Sequence, residues 1–344
     1  MVVEVKLVSY TPGPDEWAHR FGGYPARLSI KPGDVLRVGT EDCFGGRVQH
    51  PGDIPSEVVK FEDMNPVSGP IHVEGAEPGD ILAVHFIDII PARKYAVSSL
   101  FPHFGALSGT HETALLHDAL PELVWFYDID VEKWTATFRA VRSDFALTLP
   151  LDPMHGTVGV APAFGESRLV FVPSVYGGNM DTPELRAGTT LYLPVSVPGA
   201  LLALGDGHAR QGEGEVTGTG LESAMRTAIT VDVVKGAEPL GWPRLENDDF
   251  VMSTGSIRPL EDAFRISQKD LLGWVSSLLG IDTFDAYQLV SQLGVSPVAN
   301  VCDPNYTFVA KFPKRYLDTA AYGGVHNRLS AIADDYRKSY ARLW

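Results

Sequence analysis

The sequence predicts a mainly β fold, with a β-sandwich-like N-terminal part and a smaller C-terminal α/β part. Glycine and proline are frequent, with 34 and 25 of 344 residues, and they are spread along the chain, as in folds built of short strands and turns. Up to about residue 236 almost no helical periodicity occurs, whereas helical spacing begins after Ser256. We therefore expect a β-rich domain over residues 1–236 and an α/β portion over residues 250–344 that packs against it.

Several strands of the first part are predicted from turns and side-chain alternation. Residues 34–38 and 81–89 each follow a turn that contains Pro-Gly, and residues 135–141 are rich in β-branched and aromatic side chains. Residues 228–234 alternate apolar and polar side chains, which is typical of a half-buried strand. Residues 236–249 contain Pro239, Gly241 and Pro243 and are the best candidate for a connecting loop.

Three helices are predicted in the second part. Residues 270–279 place apolar side chains at helical spacing. Residues 282–293 have Thr283 as a candidate N-cap and Gly294 as a C-terminal stop. From 329 to 340 apolar residues recur every three or four positions, which indicates a third helix.

Charge and segment composition restrict the partners and the compartment. The chain has 28 Lys and Arg against 43 Asp and Glu, a formal charge of -15. This disfavours nucleic acid and anionic membranes, since both attract clustered basic residues. The sequence has no apolar run of the roughly 18 residues that a membrane span needs and no signal-peptide pattern. Cys43 and Cys302 lack a CxxC spacing, so we expect free thiols in a cytoplasmic protein.

The most informative stretch is residues 201–222, an apolar run that leads into a glycine-rich loop. It carries Asp206, His208, Glu213 and Glu215. Carboxylates and imidazole are common zinc ligands, and a bound divalent ion lowers the pKa of a water molecule and polarises a carbonyl oxygen. A nearby uncoordinated Glu could act as general base and then protonate the leaving amine. A polar turn with solvated carboxylates fits the same spacing about equally well.

Four other residues are candidates with an ordinary structural alternative. Asp42 precedes Cys43 and a pair of glycines, and is either a ligand or a turn residue. Glu74 lies between β-type residues and a glycine, and is either an inward-facing ligand or a surface charge. Ser68 could be a nucleophile or an orienting hydroxyl, but it lacks a GxSxG setting. His155 precedes a valine-rich run and could line a pocket.

Long motifs in the chain resemble the acetamidase/formamidase family. Residues 176–222 read YGGNMDTPELRAGTTLYLPVSVPGALLALGDGHARQGEGEVTGTGLE, and similar motifs are DCFGG at 42–46, NPVSGPIHVEGAEPGD at 65–80 and TVGVAP at 157–162. Further pieces continue to residue 313. The resemblance covers roughly residues 30–315, in order, and the Asp-Cys-Phe form is closer to the acetamidase side of the family.

The resemblance implies an oligomeric enzyme that hydrolyses short aliphatic amides to carboxylate and ammonia, with a β-sandwich-like domain and an added α/β portion. It also implies that polar residues distant in the chain gather at one site: Asp42, Glu74, Asn179, Asp181, Asp206, His208, Glu213 and Glu215. His155 departs from the small or apolar residue expected before Gly156. If His155 faces the pocket, the substrate differs from acetamide.

We therefore hypothesise a metal-assisted amidase that acts on a small amide. The ion is expected to be zinc, with calcium or another divalent ion as alternatives, and its ligands are expected among His208, Asp42, Asp206 and Glu74. The general base is expected to be Glu215 or Glu213. Substrate contacts are expected from His155, Asn179, Asp181 and Ser68.

Two alternatives to this hypothesis stay open at the level of the sequence. The first is an amidase that uses Cys43 or Ser68 as nucleophile, in which the acidic residues are structural. The second is a non-catalytic β-sandwich that binds a small ligand. A nucleophilic cysteine needs a neighbouring base and a lowered pKa, and the sequence shows neither.

Overall fold

The computed structural model describes residues 6–108 and 118–340, so the expected domain limits at residues 1 and 344 lie outside the described residues. Its strands are, in chain order, β1 (Leu7–Tyr10), β2 (Arg20–Phe21), β3 (Leu28–Ile30), β4 (Val35–Thr40), β5 (Val67–Val73), β6 (Ile81–Pro91), β7 (Tyr95–Leu100), β8 (Leu123–Asp130), β9 (Thr135–Arg139), β10 (Ala146–Pro150), β11 (Met154–Gly159), β12 (Arg168–Leu169), β13 (Gly177–Asn179), β14 (Thr190–Pro194), β15 (Leu202–His208), β16 (Met225–Val234), β17 (Arg244–Glu246), β18 (Phe250–Ile257), β19 (Val298–Asn300) and β20 (Tyr306–Pro313).

The helices are α1 (Pro55–Val58), α2 (Leu260–Leu279), α3 (Thr283–Leu293) and α4 (Val325–Ser339). Strands hold 36% of the residues and helices 19%, and the helices are concentrated near the C-terminus. The mainly β prediction is therefore confirmed. Within the described residues before 236, α-helix is limited to the single turn of α1, with two short 3-10 helices at Phe61–Asp63 and Ala163–Gly165, in line with the expectation of almost no helix. No helix in the described part of the chain is long and apolar enough to cross a membrane.

The strands form two large sheets that share one core. A nine-stranded sheet has the order β1-β4-β16-β6-β14-β17-β18-β20-β19, and a five-stranded sheet has the order β13-β11-β15-β5-β3. Val84 and Ile229 of the first sheet pack in one buried cluster with Val158 and Leu202 of the second. A four-stranded sheet, β10-β9-β8-β7, and the pair β12-β2 complete the set.

Strand β6 is buried along its whole length because it separates two apolar layers. Leu82 and Val84 point into the core between the sheets. Ile81 and Ala83 point to the other face, where they pack with buried residues of α2, α3 and α4. The near-continuous apolar sequence of this strand is thus the pattern of a strand covered on both faces.

The C-terminal strands extend the same nine-stranded sheet. β17 pairs with β14, and β18 pairs with both β17 and β20. The segment expected to be a connecting loop, residues 236–249, therefore contains β17, a strand inside this sheet. The division into two domains stays a prediction.

Three local predictions need correction, two in the second part and one in the first. α2 begins at Leu260, ten residues before the predicted start. Its first turns bury Ala263 and Ser267, but they are mostly polar, so the apolar helical spacing used for the prediction does not extend to them. The N-cap of α3 is Asp282, whose carboxylate accepts a hydrogen bond from the backbone N–H of Phe284 at 2.8 Å. The strand over residues 228–234 is covered on both faces, and its polar Thr230 is fully buried.

Gly255 sets the distance between α2 and the sheet. A Cβ at this position in β18 would lie 2.3 Å from the carbonyl oxygen of Ala263 and 2.9 Å from the backbone nitrogen of Ser267. Gly255→Ala should therefore lower the free energy of unfolding by about 1–3 kcal/mol, because helix backbone must move. Urea unfolding measures this change.

Gly273 provides the matched control for Gly255. It lies on the exposed face of α2, and a Cβ there meets no atom within 4 Å. Gly273→Ala should raise the free energy of unfolding by about 0.5–1 kcal/mol, since glycine is a poor helix former. Equal effects of the two substitutions would contradict the proposed close contact.

His85 makes stability depend on pH. Burial, with help from the nearby His326 and Arg337, lowers its pKa to about 3, whereas an unfolded histidine titrates near about 6.5. Between these values the unfolded chain binds a proton that the folded chain does not. The free energy of unfolding should therefore fall on acidification below about pH 6.5, by up to about 1.4 kcal/mol per pH unit for this group.

In His85→Gln the contribution of this histidine to the pH dependence of the unfolding free energy should vanish. Urea unfolding of both proteins at about pH 8, 6 and 5 compares the slopes. Parallel pH dependences of the two proteins would show that His85 is not buried in its neutral form.

Candidate active site

The site forms where β15 ends beside the loop that follows it. Asp206 and His208 belong to β15 itself, so the apolar run continues as strand beyond Gly205, where the sequence analysis expected a loop. Gly205 and Gly207 allow close neighbours: a Cβ on Gly207 would lie 2.7 Å from the carbonyl oxygen of Ser223. The absence of a side chain at these glycines thus permits close approach of neighbouring backbone.

His208 lies between two carboxylates. Its Nε2 is 3.1 Å from Glu222 Oε1 and 3.4 Å from Asp206 Oδ1. Its Nδ1 is 2.9 Å from Gln211 Oε1, and the Gln211 amide nitrogen donates to the carbonyl oxygens of Asp181 and Ala299. Since Gln211 Oε1 is an acceptor, Nδ1 carries the proton. The lone pair of a neutral His208 would then point at carboxylates, an arrangement that needs a proton or a cation between them.

More buried carboxyl groups surround this contact. Ligand atoms of Asp181, His208 and Glu215 lie within 4.8 Å of one another, and the same holds for Cys43, Asp206 and Glu222. Asp181 Oδ1, Asp206 Oδ1 and Glu222 Oε2 are buried without a hydrogen-bond partner among the described residues. Buried polar oxygens are normally paired, so these three are suited to a bound cation.

The pKa values reflect the excess of buried acid. Burial raises the pKa of Glu215 well above its ordinary value, and Asp181 adds to this effect. Burial likewise raises the pKa of Glu222 to about 7, against the opposing effect of His208. Burial opposes protonation of His208, but Glu222 and Asp206 outweigh it and raise its pKa well above the ordinary value. The cluster therefore attracts positive charge.

An amide network orients the acidic groups. Asn179 Nδ2 donates to Asp181 Oδ2 at 2.6 Å and to Asp303 Oδ2 at 3.0 Å. Asn65 Nδ2 donates to Asn179 Oδ1 at 2.9 Å, and the Thr157 hydroxyl donates to the same oxygen. The side chain of Asn179 is thereby held in one orientation by donors on one side and acceptors on the other.

The backbone is strained at three of the acidic residues. Asp181, Asp206 and Glu215 have φ values of 43°, 55° and 44°, in the left-handed region. Such conformations cost about 1–3 kcal/mol each and concentrate at functional sites, where the surrounding structure imposes them. The strain supports a functional role for this cluster.

The acidic cluster is the floor of a cavity of about 430 Å³. Polar lining residues are Asn65, His103, Asn179, Asp206, His208, Glu215, Thr219, Glu222, Arg258 and Asp303, and both cysteines, Cys43 and Cys302, also face it. The opposite wall is apolar and carries Phe61, Met64, Phe101, Pro102, Phe104, Phe171 and Pro304. An apolar cavity with a few convergent polar groups is the usual form of a small-molecule site.

Five of the residues predicted from the sequence lie together in this cluster: Asn179, Asp181, Asp206, His208 and Glu215. Asp42 lies at its edge, next to Cys43. Both carboxylate oxygens of Asp42 are engaged, one by Arg93 at 2.5 Å and the other by the N–H groups of Phe44 and Gly46. This ion pair positions the loop that carries Cys43.

The other four predicted residues lie outside the cavity lining. The Glu74 side chain is 47% exposed and lies 3.9 Å from Lys31 Nζ. Glu213 is exposed. Ser68 is buried in β5 and donates to the carbonyl oxygen of Gly39 at 2.6 Å. His155 is fully buried, with its ring nitrogens bound to the Gly205 carbonyl oxygen and the Thr227 hydroxyl.

Three site residues were not singled out from the sequence: Glu222, Cys302 and Asp303. Glu222 closes the 176–222 motif and reaches His208 through an isolated bridge between residues 208 and 222. Cys302 lies close to Glu215, with Sγ 3.2 Å from Oε2. The sequence signal for Glu222 was its place in the motif. No spacing pattern connects residues 302 and 303 with the rest.

Fold and site together define a mainly β protein with an acidic pocket suited to a cation and a small molecule. The model of the Acetamidase/Formamidase family matches residues 19–165 and 165–259, and the chain belongs to this family. This confirms the resemblance found in the motifs.

Curated relatives match part of the chain. An acetamidase of Mycolicibacterium smegmatis is 26% identical over 275 residues, which are 65% of this chain and 66% of the relative. A formamidase of Methylophilus methylotrophus is 27% identical over 254 residues, which are 61% of this chain and 62% of the relative. The chain thus matches slightly less than two thirds of the length of these relatives.

Solved structures match more of the chain. An acetamidase from Yersinia enterocolitica has a TM-score of 0.84 at 40% identity and covers 91% of this chain and 93% of its own. An acetamidase from Bacillus halodurans has a TM-score of 0.79 at 29% identity, with coverages of 90% and 98%. A gamma lactamase from Delftia acidovorans, at 20% identity and a TM-score of 0.58 over 88% of this chain and 90% of its own, shares the fold.

Gly156 keeps space open for two acidic side chains. A Cβ at this position would lie 2.2 Å from Asp181 Oδ1 and 2.5 Å from Asp206 Oδ2. Gly156→Ala should displace these carboxylates and weaken binding of Zn²⁺ by at least about tenfold, the lower end of the effect of disturbing the surroundings of a metal ligand. Equilibrium dialysis with Zn²⁺ measures the change.

Gly241→Ala is the control for Gly156→Ala, because a Cβ at position 241 meets no atom within 4 Å. This variant should bind Zn²⁺ like the parent protein. Unchanged affinity in Gly156→Ala would argue against a cation between Asp181 and Asp206.

Proposed function

We propose that this chain hydrolyses short-chain amides to carboxylate and ammonia, with the help of a divalent metal ion. The observation that carries the proposal is the position of His208 Nε2 between Asp206 and Glu222 at the floor of a cavity. Family membership and the structural likeness to acetamidases support the reaction.

The residues present fit a divalent ion. His208, Asp206 and Glu222 would hold it, with Asp181 and Glu215 close by. A mixture of imidazole and carboxylate favours zinc or another transition ion, whereas calcium prefers a shell of oxygens. When bound, such an ion polarises the amide carbonyl and increases the acidity of a water molecule.

Glu215 is the proposed proton carrier. It lines the cavity beside His208 and Asp181, whereas Glu213 is exposed and lies outside the lining. The Cys302 thiol donates to Glu215 Oε2 and orients the carboxyl group. Glu215, in the ionised form that a cation bound beside it would favour, would take a proton from the attacking water and deliver it to the leaving nitrogen, which departs as ammonia.

The two nucleophile alternatives find little support. Burial raises the pKa of Cys43 well above its ordinary value, and Glu222 adds to this effect, so the reactive thiolate is disfavoured. The Ser68 hydroxyl is buried, donates to a backbone carbonyl and lies outside the cavity lining. A non-catalytic binder would not need strained acidic residues at the floor of its pocket.

Compartment and assembly are also part of the proposal. Two buried free cysteines suit a reducing cytoplasm. Exposed aromatic side chains on α3, Phe284 at 78% and Tyr287 at 60%, suit a homo-oligomer in which this helix is covered. Light scattering on the purified protein determines the number of copies.

Ammonia release from short amides tests the reaction. His208→Ala should lose bound metal and lower kcat/KM for acetamide by more than about 100-fold, since even residues behind a ligand contribute about 10–100-fold. Elemental analysis and an ammonia assay measure both quantities. Normal turnover by His208→Ala would reject the metal site, and retained metal without any amide turnover would favour the binder.

The two glutamates provide a matched pair for the proton carrier. Glu215→Gln should lower kcat by about 100-fold or more, within the usual contribution of a positioned acid or base. Glu213→Gln, two positions away and exposed, should retain activity. Loss of activity in Glu213→Gln with activity retained in Glu215→Gln would reverse the assignment.

A further inference from the structure

The cavity is larger and more apolar than acetamide requires. Its volume of about 430 Å³ falls among pockets of roughly 300–1,000 Å³ that enclose ligands of drug size. Acetamide, whose acyl group is one methyl, would occupy the floor near His208 and leave the wall of Phe61, Phe171 and Met64 in contact with water. Uncovered apolar surface of this kind favours a ligand that covers it.

Ring contacts hold the aromatic wall in place. Phe61 and Phe171 are stacked, with centroids 5.3 Å apart and planes at 19°. Phe101 and Phe104 meet edge to face, with centroids 6.3 Å apart and planes at 85°. Phe61 stays in this stack although it is 65% exposed. The wall therefore offers both faces and edges, which a further aromatic ring can meet in a favourable geometry.

The charged groups of the cavity disfavour an anionic acyl group. The floor is rich in carboxyl groups. Arg258 also lines the cavity, but its guanidinium donates to the carbonyl oxygen of Asp303 at 2.7 and 3.2 Å and lies 4.4 Å from the centre of the Tyr306 ring. Because this cation is already engaged, the acyl group that fits the wall is neutral.

We propose that the preferred substrates are primary amides of aryl or arylalkyl carboxylic acids, a proposal that rests on the amidase function proposed above. The carboxamide lies on the acidic floor, and the aromatic ring lies against Phe61 and Phe171. The C–N bond of the amide breaks, and the water oxygen bonds to the acyl carbon. One water proton goes to the nitrogen, so that ammonia and an aryl or arylalkyl carboxylate result.

Phenylacetamide and acetamide form a matched pair of probes, because they differ by the phenyl ring. The metal-loaded protein should hydrolyse phenylacetamide with a kcat/KM at least about tenfold higher, the lower end of what one methylene in an apolar pocket contributes. Ammonia release gives both constants. If acetamide is hydrolysed equally well or better, the proposal for the acyl group is overturned and the amidase function stands.

Substitutions in the wall test where the ring binds. Phe61→Ala should lower the ratio of kcat/KM for phenylacetamide to that for acetamide by about tenfold, and Phe61→Leu should give an intermediate ratio. Phe145→Ala is the control, because Phe145 is a 59% exposed phenylalanine outside the cavity lining. A ratio that does not change in Phe61→Ala would overturn the assignment.

Absence of ammonia release from both amides would overturn the amidase function. A binding measurement would then test the aryl pocket separately. Calorimetric titration with phenylacetamide should show saturable binding that Phe61→Ala weakens by about tenfold, whereas acetamide should bind more weakly. If phenylacetamide shows no saturable binding to the parent protein, the aryl pocket is rejected independently of turnover.

Discussion

The shortage of positive charge inside one acidic cluster is the constraint on which the rest of this structure depends. The cluster buries five carboxyl groups, those of Asp181, Asp206, Glu215, Glu222 and Asp303. Burial of an unpaired charge costs far more than any single favourable contact in the core returns. Asn179 offsets part of this cost by donating a hydrogen bond to Asp181, and His208 does so by lying beside Glu222. The remainder needs protons or a cation, so the electrostatics of the cluster determine what the cavity can bind.

The local structure of the chain could be predicted from sequence more fully than its packing. Alternation and Pro-Gly turns are local signals, and they correctly indicated β4, β6 and β16. Which faces are covered is decided by residues far away. Thr230 is a polar residue in an alternating strand, yet it is buried because α4 closes the second face of the sheet. The early start of α2 was missed for a related reason, since tertiary contacts can override a polar sequence.

The residues of the candidate site also fall into two groups, those that the local sequence indicates and those that only the packing brings together. Asp206 and His208 lie two residues apart on one strand, so their proximity can be predicted from the sequence. Glu222 joins them through the bridge between residues 208 and 222, and Asp303 through a hydrogen bond from Asn179. No spacing rule reveals either contact. Asp42 was expected among the metal ligands, but a carboxylate beside glycines can equally form an ion pair, and here its partner is Arg93. The partner of a carboxylate, more than its sequence context, decides its role.

The apolar wall and the acidic floor of the cavity act on each other. Water in the cavity screens the charges on the floor, whereas a ligand that covers Phe61 and Phe171 excludes that water. In the proposed mechanism, interactions of Glu215 and His208 with the reacting amide would then act in a medium of lower polarity and become stronger. Because charge develops on the amide in the transition state, this strengthening is greater there than in the bound ground state, and a larger acyl group should raise kcat and not merely lower KM. Substrate selectivity and catalytic power would thus have one physical origin, the exclusion of water from a buried acidic cluster.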